Sequence, residues 1–188
     1  MTFNCMIAGV GGQGTVLASR IISEAAMKRG LNVRTTETIG MAQRGGSVVG
    51  HTRIGDNIHS PLIPLGGADV LIAFEPAEAA RQLPFLSQKG TLIVCDVPVK
   101  PVSGTLTGQV YEAQPIIEYL KANAPNIVIV NGEPIKEKYA KMLNVALLGA
   151  AAESGVFPFD TQALLDVISE MQRFRDENLE SFEMGRRA

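Results

Sequence analysis

The chain has 188 residues, 46% of them hydrophobic and 19% charged, a balance that supports a sizeable buried core and excludes an intrinsically disordered chain. Lys plus Arg total 17 against 19 Asp plus Glu, a net charge of −2, without the basic excess of a dedicated nucleic-acid binder. Two cysteines, Cys5 and Cys95, with no C-x-x-C pair, exclude an iron–sulfur cluster or structural zinc held by this chain alone, so no metal site is expected on it.

The opening MTFNCMIAGVGGQG has neither a basic leader nor a long apolar segment, so no signal peptide is expected. The longest apolar stretch, near Val145–Ala152, is far short of the roughly 18–20 residues of a membrane span. The chain is read as cytoplasmic, meeting no membrane, with both thiols reduced and buried in strands.

Phe3–Ala8 is a short apolar run and reads as a buried strand, followed by a glycine-rich turn at Gly9–Gly14. From Thr15 to Arg29, Leu17, Ile21 and Ala25 recur at i, i+4 beside Ala18, Ile22 and Ala26, one broad apolar helix face. Gly30 stands where a helix C-terminal glycine belongs. Val33–Thr36 is the second strand, closing a strand–turn–helix–strand unit of parallel α/β type. Residues 37–47 read as a loop. Val48–Ile54 reads as a strand, and Gly55-Asp56-Asn57 as a turn into a hairpin partner at Ile58–Ser60.

Further strands are expected at Ala68–Phe74, Thr91–Cys95 and Ile127–Asn131. Helices are expected from Glu75-Pro76 to Gln82, at Pro115–Asn123, Ile135–Leu143 and Val145–Ser154, and at Thr161–Met171 with Asp160 as N-cap. Val97–Gly108 reads as an irregular connection. The charged tail from Gln172 to Ala188 carries Leu179, Phe182 and Met184 as apolar anchors. The expected fold is α/β: a three-layer, mostly parallel Rossmann-like sheet flanked by helices, with a small hairpin excursion, in one domain over 1–188.

Gly9-Val10-Gly11-Gly12-Gln13-Gly14 satisfies G-x-G-x-x-G after a strand and before a helix. Missing Cβ atoms let a backbone turn sharply and approach a ligand, and N–H groups at a helix start point at an anion with the dipole's help. The same glycines can also serve only strand–helix packing. Glu37, 23 residues past Gly14, stands where a dinucleotide fold places its ribose-binding acid. A second segment, Gln43-Arg44-Gly45-Gly46-Ser47, sets a planar multi-donor cation against a double glycine, a pairing suited to carboxylate or phosphate. His51 alternates with Val49 and Arg53 on one strand face and reads as structural; His59 reads as an exposed turn residue. Glu75-Pro76 is a candidate ligand position at a strand's C-terminal end and equally a plain helix start.

The runs AGVGGQG, ETIGMAQRGGSVVGHTRIG, SPLIP and GGADVLIAFEPAEAAR, with the ending from Glu177 to Gly185, resemble the gamma-type domain of 2-oxoacid:ferredoxin oxidoreductases across essentially the whole chain. Gly40–Val48 is most similar to the small (beta) subunits of the indolepyruvate branch. The resemblance implies a complex that oxidatively decarboxylates an aryl 2-oxoacid to an acyl-CoA and passes electrons to ferredoxin. Thiamine diphosphate, Mg2+ and the [4Fe-4S] clusters would belong to a large (alpha) subunit, with coenzyme A as a substrate. No cofactor would be bound by this chain alone.

Carried over by position, Gly11, Gly12, Gln13 and Gly14, with Gly9 before them, form the anion-facing turn. Arg44, Gly45 and Gly46 form the loop facing a coenzyme A phosphate or the partner subunit, and Glu37 and Gln43 orient Arg44. No catalytic residue is expected on the chain, which is expected to be inactive alone and able to pair with itself through the surface meant for its partner. Two other readings remain open on sequence: a nucleotide-binding enzyme using NAD or ATP, and a purely structural assembly subunit.

Overall fold

A computed structural model describes residues 2–39, 45–99 and 111–188. Among them six strands form one sheet: β1 (Thr2–Val10), β2 (Val33–Ile39), β3 (Ser47–Gly55), β4 (Ala68–Ala73), β5 (Leu86–Cys95) and β6 (Asn126–Val130). Seven α-helices accompany them: α1 (Thr15–Lys28), α2 (Pro76–Gln82), α3 (Gln114–Asn123), α4 (Glu133–Tyr139), α5 (Leu143–Glu153), α6 (Thr161–Ser169) and α7 (Arg175–Arg186). The sheet order is β2-β3-β1-β4-β5-β6. The β1–β4, β4–β5 and β5–β6 pairs are parallel, and β3 runs antiparallel to both β1 and β2.

Alternation along the central strands builds two cores. Cys5 and Ile7 of β1, Val70 and Ile72 of β4, and Ile93 and Cys95 of β5 face the layer of α1, α5, α6 and α7. Met6, Ala8, Leu71, Ala73, Leu92 and Val94 face the opposite layer, with Ala79 of α2 and Ile117 and Leu120 of α3. Strands covered on both faces become continuous apolar runs, which is why β1, β4 and β5 were legible in the sequence. Both cysteines are fully buried. Burial pushes the Cys95 thiol up to about 12 and the Cys5 thiol higher still. They stand on non-adjacent strands, and protonated thiols so placed do not fit a cluster.

Helix boundaries follow their signals. Gly30, at φ 75°, ends α1, with its N–H donating to Met27 O at 2.9 Å and Leu31 N–H to Ala26 O at 3.1 Å. Glu75 caps α2 by accepting from Glu78 N–H, with Pro76 in the first turn. Asp160 caps α6 by accepting from Ala163 N–H at 2.9 Å.

Three expectations need correction. The hairpin partner of β3 is not Ile58–Ser60 but β2, and β3 lies between β1 and β2. Residues 56–67 instead form a strap over β3: Arg53 donates to Ser60 O at 2.9 Å, and Ile63 N–H donates to His51 Nδ1 at 3.2 Å. Second, β2 continues through Ile39, so Glu37 lies in a strand, not a loop; the β-branched residues Thr35, Thr36 and Thr38 favour it. Third, the charged tail is a helix, α7. Asn178, Ser181, Phe182 and Gly185 form its buried face, and small and polar residues give no apolar period to read. A Cβ on Gly185 would meet Ala146 O at 1.8 Å, and one on Gly149 would meet Phe182 O at 2.0 Å, so α5 and α7 touch backbone to backbone. Most of the irregular connection expected at Val97–Gly108 lies outside the described residues.

No helix among the described residues is long and apolar enough to cross a membrane.

Candidate functional site

The parallel strands deliver their C-terminal ends to one edge, where open α/β sheets place their ligands. Along that edge stand the glycine turn after β1, Glu75 after β4, Val97 after β5 and Gly132 after β6.

The two glycine segments singled out in the sequence meet there. Gly11 N–H donates to Gly46 O at 2.8 Å, and Gly45 N–H donates to Gly11 O at 3.3 Å. Within the turn each residue has a separate task. A Cβ on Gly9 would lie 2.9 Å from Gln13 Oε1 and 3.2 Å from Phe74 Cδ2, so Gly9 serves close packing. Gly12, at φ 102°, is exposed, with nothing within 4 Å of the place a Cβ would take; its open side suits close approach by another molecule. Gly14, at φ 78°, is the N-cap of α1, and a Cβ there would meet Asn144 Nδ2 at 2.5 Å.

Gln13 is a staple. Its Oε1 accepts from Val10 N–H at 2.8 Å, and its Nε2 donates to Phe74 O at 3.0 Å, so both amide atoms are engaged within the chain. Glu37 stands away from the turn. It pairs in register with Gly50, which pairs with Ile7, and β3 separates β2 from β1. Two strand spacings, about 10 Å, therefore part it from the strand that carries the turn. That is not the adjacent second strand on which a dinucleotide fold sets its acid. Gln43 and Arg44 lie outside the described residues.

Sequence reasoning missed four residues at this edge. Lys136 of α4 and Lys141, beyond its end, line a cavity of 190 Å³ with Gly12, Gln13, Val97 and Leu143. Asn144, 1% exposed, donates from Nδ2 to Gly14 O at 3.1 Å. A lone Asn inside the apolar run LNVALLGAAA was a signal available to be read. Tyr111 donates its hydroxyl to Glu75 Oε1 and accepts from Ala77 N–H at 3.2 Å. Burial, then the Glu75 carboxylate, pushes the phenol well above the usual tyrosine value.

Glu75 and Glu78, each 2% exposed, form a polar knot with Tyr111. Glu75 Oε2 accepts from Glu78 N–H at 3.0 Å, Glu78 Oε2 accepts from Ser47 Oγ at 2.6 Å, and Glu78 Oε1 pairs with Arg81. A cavity of 320 Å³ lies against this knot, bounded also by Val10, Gly45 and Val99. A larger groove of 480 Å³ between α1 and α6 stands on the side of the helical layer; of its charges, Arg20 pairs with Glu24 and Glu170 with Lys28. His51 is buried and its burial holds it below the usual histidine range; His59 is exposed. Among the described residues no three His, Cys, Asp or Glu side chains gather as a metal-binding group.

The profile of the family described as pyruvate ferredoxin/flavodoxin oxidoreductase matches residues 4–188. The indolepyruvate oxidoreductase subunit IorB of Archaeoglobus fulgidus is 43% identical, over 98% of this chain and 94% of its own length. Among solved structures, the pyruvate oxidoreductase subunit PORC of Thermotoga maritima superposes with a TM-score of 0.68 at 23% identity, covering 98% of this chain and 94% of that one. A 2-oxoglutarate:ferredoxin oxidoreductase from Magnetococcus marinus, solved with 2-oxoglutarate, coenzyme A and succinyl-CoA bound, superposes with a TM-score of 0.66 at 20% identity. There the match covers 99% of this chain and 30% of that one.

Proposed function

The chain belongs to the pyruvate ferredoxin/flavodoxin oxidoreductase family, and on that premise we propose that it is the small subunit of a cytoplasmic 2-oxoacid:ferredoxin oxidoreductase acting on indolepyruvate and related aryl pyruvates. The observation that carries this reading is the 43% identity with an indolepyruvate oxidoreductase subunit over nearly the full length of both chains. The chain acts as one domain over 1–188 and docks on a large subunit. That subunit carries thiamine diphosphate, Mg2+ and the [4Fe-4S] clusters, takes the substrate through oxidative decarboxylation to an acyl-CoA and passes electrons to ferredoxin.

On this chain the working surface is the sheet edge at Gly9–Gly14 and Gly45–Gly46, and Gln43 and Arg44, next in sequence, are assigned to the same role. It faces coenzyme A or the large subunit. Supporting this, the backbones of Gly11, Gly45 and Gly46 are tied together, so one ligand can reach both glycine segments. Two engaged amide atoms make Gln13 a residue that shapes the turn, and Glu37 contributes through the β2–β3 pair.

Co-expression with the large subunit tests the reading. Ferredoxin reduction by indolepyruvate and coenzyme A should require both chains, and this chain alone should show none. Turnover by the large subunit alone at the full rate overturns it. Gel filtration of the isolated chain should show a monomer–dimer equilibrium that the large subunit suppresses.

A further inference from the structure

We infer that the outer edge of β2 is the surface on which two copies of this chain pair, antiparallel and centred on Thr36, so that their two sheets join into one. This rests on the reading that the isolated chain pairs with itself, and names the surface and the register. β2 is an end strand of the sheet, and the direction of its backbone groups follows from one bond. Gly55 N–H donates to Asn32 O at 2.9 Å, and these two residues stand opposite each other, one step beyond the Val33–Ile54 pair. In an antiparallel ladder such a pair exchanges both bonds and the next pair exchanges none. The even-numbered residues of β2 therefore spend N–H and C=O on β3. Val33, Thr35, Glu37 and Ile39 aim theirs outward, where no strand among the described residues receives them.

Exposed sheet edges are ordinarily blunted by Pro, Lys, a bulge or short length. β2 has none of these: VRTTETI runs for 7 residues in unbroken register with β3, and its β-branched residues favour extended backbone. The opposite edge strand, β6, has 5 residues and follows Pro125. The order of residues in β2 selects a second copy as the occupant. A two-fold axis normal to the sheet keeps every side chain on its own face, so opposed residues come from the same face and the axis passes through a residue. Through Arg34 it would set two guanidinium groups against each other, and through Glu37 two carboxylates, both destabilising. Through Thr35 it would leave Thr38 and Ile39 unpaired. Through Thr36 the whole of Val33–Ile39 is paired: Thr36 with its own copy, Thr35 with Glu37, Arg34 with Thr38, and Val33 with Ile39. No like charges are opposed, and a threonine stands opposite each charge. The outward-aimed groups meet as Thr35–Glu37 and Val33–Ile39, the pairs that exchange backbone bonds.

Disulfide trapping on the full chain reads the register directly, because both native cysteines are buried and introduced thiols alone are free to react. With oxidised glutathione as the oxidant, Thr36→Cys should give a covalent dimer, since opposed residues of a pair that exchanges no bonds stand about 4.5 Å apart, within disulfide reach. Thr35→Cys and Thr38→Cys should run as monomers on a non-reducing gel, because their copies are not opposed in this register. Thr35→Pro removes an outward N–H, a place where an edge strand tolerates proline. Sedimentation equilibrium should show its dimer about tenfold or more weaker than that of the wild type, with the same circular dichroism, because one bond is lost from each half of the pair. Crosslinking that favours Thr35→Cys or Thr38→Cys overturns the register. Equal or absent crosslinking at all three positions, or a Thr35→Pro dimer as tight as the wild type's, overturns the pairing. Assembly with the large subunit is scored apart, on reduced chains: a wild type that never assembles sinks the subunit reading and leaves the trapping result standing.

Discussion

Two loops stand side by side at the sheet edge and solve opposite problems. After β4, the Glu75–Glu78–Tyr111 knot is acidic and closed, and every carboxylate oxygen has a partner. After β1, the glycine turn is held from within by Gln13, and its outer face is open at Gly12 and flanked by two lysines. Both are loop-to-helix junctions, but only the first caps its helix with a side chain. Saturated polar groups hold a fold; unsaturated ones in a cavity are available to bind.

The largest way to break the contrast is Gly14→Ala. It forces a Cβ into a left-handed position 2.5 Å from Asn144 Nδ2, and urea unfolding should show a loss of about 2–4 kcal/mol. Glu75→Ala should cost about 2–3 kcal/mol in the same measurement, because a cap is lost and the Tyr111 hydroxyl loses its acceptor. An unchanged midpoint would mean that the knot does not hold this edge and the contrast is inverted.

Gln13→Leu strips partners from Val10 N–H and Phe74 O and should cost about 1–2 kcal/mol. A neutral result would show that the turn does not depend on its staple. Gly12→Ala meets no neighbour but keeps a positive φ, so a loss of about 1–2 kcal/mol from strain is expected in urea unfolding.

The smallest effect is a loss of stability that begins above pH 10. The Tyr111 phenol is raised in the folded state above its ordinary 10.0, so the folded chain keeps a proton that the unfolded chain gives up. Its contribution is complete below pH 10 and falls as pH rises above it. Denaturation midpoints should decline above pH 10 in the wild type, less steeply in Tyr111→Phe.

Much of this was legible from the chain itself. Strands buried on both faces announced themselves as apolar runs, and Gly30, Glu75 and Asp160 marked helix ends, because those signals are local. What escaped was decided by distant partners. Nothing near Ile58 says that β3 prefers β2 and β1, and nothing in the period of α7 announces a face built from Asn178, Ser181 and Gly185. The site divided the same way. The turn's geometry was written in its glycines, whereas the employment of Gln13 depends on Phe74, 61 positions away. The lysines join the turn only because α4 follows β6 to the same edge.

The placement of β3 between β1 and β2 also bears on the order in which the chain assembles. Ile39 pairs with Val48, nine positions on, whereas Val10 pairs with Ser47, thirty-seven positions on. Closing the longer loop costs about 1.3 kcal/mol more in chain entropy. The β2–β3 pair is therefore the cheaper early event, and the glycine turn acquires its bonds to Gly45 and Gly46 only when that preformed ribbon docks on β1. A substitution that weakens the Gly11–Gly46 contact should accordingly speed unfolding and leave the folding rate nearly unchanged.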